Sequence, residues 1–130
     1  MPRLPIILAA TFFAVPASAQ QPNWSHARIV EVKLSSFAFT PRAIHLRAGE
    51  PVILHLVNTA KGGHDFSATG FFAAAVVRPQ DRSAMNNGTV ELRGHTVQDI
   101  AVTPRAGRYQ LRCKHTFHTA FGMSGEIIVE

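Results

Sequence analysis

Cys113, His115, His118 and Met123 fall within one short run, Cys113-Lys114-His115-Thr116-Phe117-His118-Thr119-Ala120-Phe121-Gly122-Met123. Together they offer a soft thiolate, a borderline imidazole and a weak thioether. That combination suits a metal cycling between a soft cuprous and a harder cupric state. Cys113 is also the chain's single cysteine, so no internal disulfide can form. Its thiol must be buried, paired with another molecule or bound to a metal. A loop this short supplies a thiolate, an imidazole from His115 or His118, and a thioether, but it cannot wrap an ion on every side. The best further donor is His64, which follows Gly62-Gly63 after an apolar run. The centre expected from these residues has two imidazoles and the Cys113 thiolate roughly in a plane, with Met123 more distant on the axis.

Taken singly, each residue has a plainer explanation. A lone cysteine at a strand end is most often a small buried hydrophobe, a lone methionine is core filler, and a histidine in a glycine-rich loop is a surface residue. Their joint occurrence in one chain without a disulfide partner favours the metal. Zinc fits less well than copper, because structural zinc sites favour more thiolates and catalytic ones keep a water position that Met123 would occupy. His45 and His55 lie in apolar runs and His26 and His95 in flexible or turn positions, so none of these is assigned to metal.

The elements that would position the donors read as strands. Val30, Val32 and Leu34 alternate with Glu31 and Lys33; Ile44 and Leu46 repeat the pattern; and Val52 to Val57 is nearly all apolar, as in a strand covered on both faces. Thr89 to Leu92 and Thr96 to Val102 flank the Arg93-Gly94-His95 turn. Tyr109, Leu111 and Cys113 then share one face, which aims the thiol inward at a strand's end, and Gly125 to Val129 closes the chain. A short helix is expected over 71–75. The reading is all-β: a Greek-key antiparallel β-sandwich of about seven strands, with His64 in a loop at the same end as Cys113.

Residues 1–19 carry one charge, Arg3, and an apolar stretch from Leu4 to Val15 that ends near Ala17-Ser18-Ala19. This is the pattern of a cleaved secretory signal, and the stretch is shorter than the ~20 residues a spanning helix needs. The expected organisation is a leader over 1–19 and one copper-binding domain over 20–130, with no membrane span in the mature form. Loss of Arg3 lowers the formal charge from +5 to +4. Because the basic residues are scattered, a nucleic-acid footprint is not indicated.

The run Phe37-Ala38-Phe39-Thr40-Pro41, the Ala48-Gly49 turn, the approach from Asn58 to His64, and above all the cysteine with histidine five residues on and methionine five beyond it resemble the cupredoxins, the blue type 1 copper proteins. The resemblance implies one type 1 copper ion held by His64, Cys113, His118 and Met123, with His118 rather than His115 as the second imidazole. It further implies that electrons leave through His118; separately, the apolar residues Phe117, Ala120 and Phe121 near it could form a docking patch. Asp65 departs from the family, in which asparagine commonly follows the first histidine and braces the two ligand segments. A carboxylate can accept the same hydrogen bonds but adds negative charge.

These readings lead to a periplasmic, monomeric one-electron carrier that exchanges electrons with redox protein partners and performs no catalysis. The alternative is a periplasmic copper chaperone or sequestering protein that meets copper-handling partners. A third reading, a domain that has lost its metal, is disfavoured by four retained donors.

Overall fold

In the computed structural model, residues 1–2, 10–15, 21–115 and 123–130 are described. After a turn of 3-10 helix at Trp24–His26, the chain forms β1 (Arg28–Ser35), β2 (Ala38–Thr40), β3 (Ala43–Leu46), β4 (Val52–Asn58) and β5 (His64–Ser67). Helix α1 (Thr69–Ala74), β6 (Val76–Val77) and a second 3-10 segment (Pro79–Ala84) follow. The remaining strands are β7 (Thr89–Leu92), β8 (Val97–Thr103), β9 (Gly107–Arg112) and β10 (Ser124–Val129). No helix among the described residues is long and apolar enough to cross a membrane.

Two five-stranded sheets result, ordered β2-β1-β4-β8-β6 and β3-β10-β9-β5-β7. The sandwich is as expected, with two corrections. Among the described residues it has ten strands rather than about seven, because β2 and β6 are too short to show a two-residue period and β5, buried at all four residues, has no alternation. It is also mixed rather than antiparallel: β1 runs parallel to β4, and β3 parallel to β10. The parallel pairs arise because β3 leaves the first sheet for the second, after which β4 returns beside β1.

Alternation decides which face each strand buries. On β4, Val52, Leu54, Leu56 and Asn58 point inward while Ile53, His55 and Val57 stay half-exposed, so that strand is covered on one face rather than both. Val32 and Leu34 of β1, Ile100 of β8, Leu111 of β9 and Ile127 of β10 are fully buried between the sheets. Phe66 sits among them and packs edge-on against Phe39 and Phe72, each with ring centroids 6.0 Å away, a geometry favoured by the ring quadrupoles. Phe71 of α1 caps the same core against Phe72 and Tyr109. This cluster ties the helix to β5 and β9, the two strands next to the candidate site.

Candidate metal centre

Cys113 lies one residue past β9 and Met123 one residue before β10, and the Cys113 N–H donates to the Met123 carbonyl at 3.1 Å. The β9–β10 ladder therefore extends to both residues and pins the two ends of the intervening segment. Inward alternation from Leu111 leaves the Cys113 side chain with no solvent exposure, and Met123 is 1% exposed. His64 is not in a loop as expected; it is the first residue of β5, opposite Leu92 of β7, and is buried. Its ring Nδ1 stands 3.9 Å from Cys113 Sγ. His118 lies outside the described residues, as do Phe117, Ala120 and Phe121.

The separation of imidazole and thiol suits a shared ion. Bonds of about 2.3 Å to sulfur and about 2.0 Å to nitrogen, spread by about 120–130° in a trigonal arrangement, place the two donors about 3.8 Å apart. The residues present thus fit a copper ion on donor chemistry and on spacing. Full burial of Cys113 also argues against a nucleophilic thiol, which would have to meet its substrate.

Asp65 braces the site as the asparagine-like role requires. Its backbone N–H donates to Cys113 Sγ at 3.4 Å, and its Oδ1 accepts from the Lys114 N–H at 2.9 Å and the Ser67 hydroxyl at 2.7 Å. One residue thereby ties β5 to the segment after β9 through both backbone and side chain. His115 is turned to carboxylates, with Nε2 3.2 Å from Glu91 and 3.7 Å from Asp65, while its ring centroid is 6.4 Å from that of His64.

A second bracing residue was not singled out by the sequence. Asn58, 1% exposed at the end of β4, donates through Nδ2 to the carbonyls of Gly62, Leu92 and Arg93 at 2.9, 3.2 and 3.1 Å, and its Oδ1 accepts from the Ala60 N–H at 3.0 Å. It locks the loop leading to His64 onto the end of β7. Gly94 closes the same junction, since a Cβ there would run into the Lys61 carbonyl. The sequence signals for Asn58 were a polar residue ending an apolar strand and its place at the start of the approach to His64.

Burial pushes the Cys113 thiol above its ordinary pKa; the N–H groups of Asp65 and His115 pull the other way, and the carboxylates of Asp65 and Glu91 add to the rise. The metal-free protein therefore holds a protonated thiol, and metal binding must release that proton. Because the folded pKa is raised, this stabilising contribution is complete below the unfolded thiol's pKa and is lost as pH climbs through the folded one. Iodoacetamide should alkylate the metal-free folded protein at least about tenfold more slowly than the urea-unfolded chain near the ordinary thiol pKa. Equal rates would contradict the buried, protonated thiol.

A family model described as a cupredoxin-like domain matches residues 5–129. Among solved structures, the chain is similar to dithionite-reduced auracyanin from Roseiflexus castenholzii, with 18% identity over 80% of this chain and 98% of that one and a TM-score of 0.58. It is also similar to auracyanin A, a "blue" copper protein from Chloroflexus aurantiacus, with 18% identity over 78% and 99% of the two chains and a TM-score of 0.54. The McoA multicopper oxidase from Aquifex aeolicus matches at 16% identity and a TM-score of 0.64, over 88% of this chain but 32% of the oxidase. No curated protein sequence matches the chain.

Proposed function

The chain belongs to the cupredoxin-like domain family, and on that premise we propose that it is an exported type 1 copper protein that carries single electrons. His64, Cys113, His118 and Met123 would hold the ion. The observation that carries the proposal is the buried Cys113 thiol 3.9 Å from His64 Nδ1, in a chain where the Cys113 N–H donates to the backbone carbonyl of Met123, which carries the thioether, at the same strand ends. Copper bound there would supply a one-electron couple between the cuprous and cupric states.

The chain's own residues hold His64, Cys113 and Met123 in place before any metal arrives. Asp65 orients the thiol, the β9–β10 ladder sets the spacing of Cys113 from Met123, and Asn58 fixes the loop that delivers His64. Donors held this rigidly need little rearrangement between oxidation states, which favours rapid transfer. Export rests on the leader pattern of residues 1–19, and the carrier would then work in the periplasm, where its partners would be redox proteins. Auracyanin A, described as a blue copper protein, supports a carrier; McoA, an oxidase, is about three times as long as the region it shares with this chain.

The test is the visible spectrum of the protein after addition of cupric ion, followed by reductive titration. An intense thiolate-to-copper charge-transfer band that bleaches with one electron per copper and returns on oxidation supports the carrier. Tight cuprous binding without that band would instead favour copper delivery, and no copper binding would sink both.

Asp65 sets a further expectation. Its carboxylate beside the thiolate favours the more positively charged cupric state, so Asp65→Asn should raise the copper reduction potential, by on the order of 50 mV. Voltammetry showing an unchanged or lower potential would refute that role.

A further inference from the structure

Beside the candidate copper centre, Asp65, Glu91 and His115 bring one oxygen or nitrogen donor each within 4.8 Å of the others. Asp65 and Glu91 are directly opposed across the antiparallel β5–β7 pair, where like charges destabilise a sheet unless something positive lies between them. The Asp65 side chain is 1% exposed. Its Oδ1 is taken by Ser67 and Lys114, while its Oδ2 receives no hydrogen bond among the described residues and faces His115 Nε2 at 3.7 Å. Glu91 reaches the same nitrogen at 3.2 Å from the solvent side, with 66% of its side chain exposed.

These distances bracket a coordination sphere. Donors bound at about 2.1 Å and spread at tetrahedral angles lie about 3.4 Å apart, so a small turn of Glu91 and His115 would close the three around one ion. We propose that Asp65, Glu91 and His115 form a second, rim-exposed site for a divalent cation, with cupric ion the preferred occupant. One imidazole and two carboxylates form a borderline-to-hard set, unlike the sulfur-containing centre next to it, and among divalent first-row ions such sets hold cupric ion most strongly. The buried oxygen of Asp65 fixes the inner edge of the site, and Glu91 and His115 leave its outer edge open to ions from solvent.

The test compares the parent with Glu91→Gln, a substitution on an exposed side chain that keeps the shape and removes the charge. Equilibrium dialysis against cupric ion should show one equivalent fewer bound to the variant, or binding of that equivalent weakened at least about tenfold. Electron paramagnetic resonance of the lost ion should report oxygen and nitrogen ligation without thiolate. His115→Gln should remove the same signal. Equal numbers of ions bound with equal affinity in the parent and Glu91→Gln overturn the proposal, because binding at the chain terminus or at other histidines would survive the change. The comparison is independent of the carrier reading: absence of a charge-transfer band would defeat that reading and leave the difference of one ion standing.

Discussion

Cys113→Ser is expected to abolish the thiolate-to-copper charge-transfer band and to weaken cupric binding by more than about 100-fold, while leaving the fold intact. Loss of a residue that merely orients a ligand already costs 10–100-fold in metal affinity, and here the ligand itself would go. Serine is close in size to cysteine, and its oxygen can still accept from the Asp65 N–H that now donates to Cys113 Sγ at 3.4 Å. It cannot become an anion near neutral pH, so the covalent, polarisable donor is lost without opening a cavity. Absorption and calorimetric titration of parent and variant, with circular dichroism to confirm folding, check this. A variant that keeps the band would remove Cys113 from the centre.

Asn58→Ala should destabilise the metal-free protein by about 3–5 kcal/mol, as large a cost as single substitutions usually carry. Its side chain makes four hydrogen bonds from a site 1% exposed, and each buried partner left behind costs about 1–3 kcal/mol, reduced where water reaches the half-buried carbonyls. Asn58→Asp sharpens the expectation. It keeps an acceptor for the Ala60 N–H but turns an anion toward the carbonyls of Gly62, Leu92 and Arg93, so it should be no more stable than the alanine variant near neutral pH. Urea unfolding of the three proteins decides the matter, and an aspartate variant as stable as the parent would show that Nδ2 does not hold the junction. Because the loop it anchors ends at His64, both variants should also bind copper more weakly.

The long strands and the core were legible because a strand with one buried face must alternate. Val32 and Leu34 against Glu31 and Lys33, and Leu111 and Cys113 against Gln110 and Arg112, announce the inward side without any knowledge of partners. The short strand β5 was not legible. All four of its residues, His64, Asp65, Phe66 and Ser67, are buried, so it has no alternation, and three polar side chains after two glycines read as a loop. Pairing was equally hidden: nothing local to β1 or β3 says that each lies parallel to a strand from another part of the chain.

The amino-acid sequence by itself determined the β-rich class, the inward aim of Cys113, and the donor types, because those follow from residue chemistry and local period. Only the tertiary structure decided that His64 meets Cys113 from another strand, that Asp65 and Asn58 brace the junction, and that Asp65 stands opposite Glu91. Apart from the bonds Asn58 makes within its own loop, those contacts join residues 34 to 49 positions apart or lie across a strand pair, and their register is set by how the sheets close around Phe66 and its neighbours. A sequence displays which groups are available for chemistry; the distance between them is a property of the packed core.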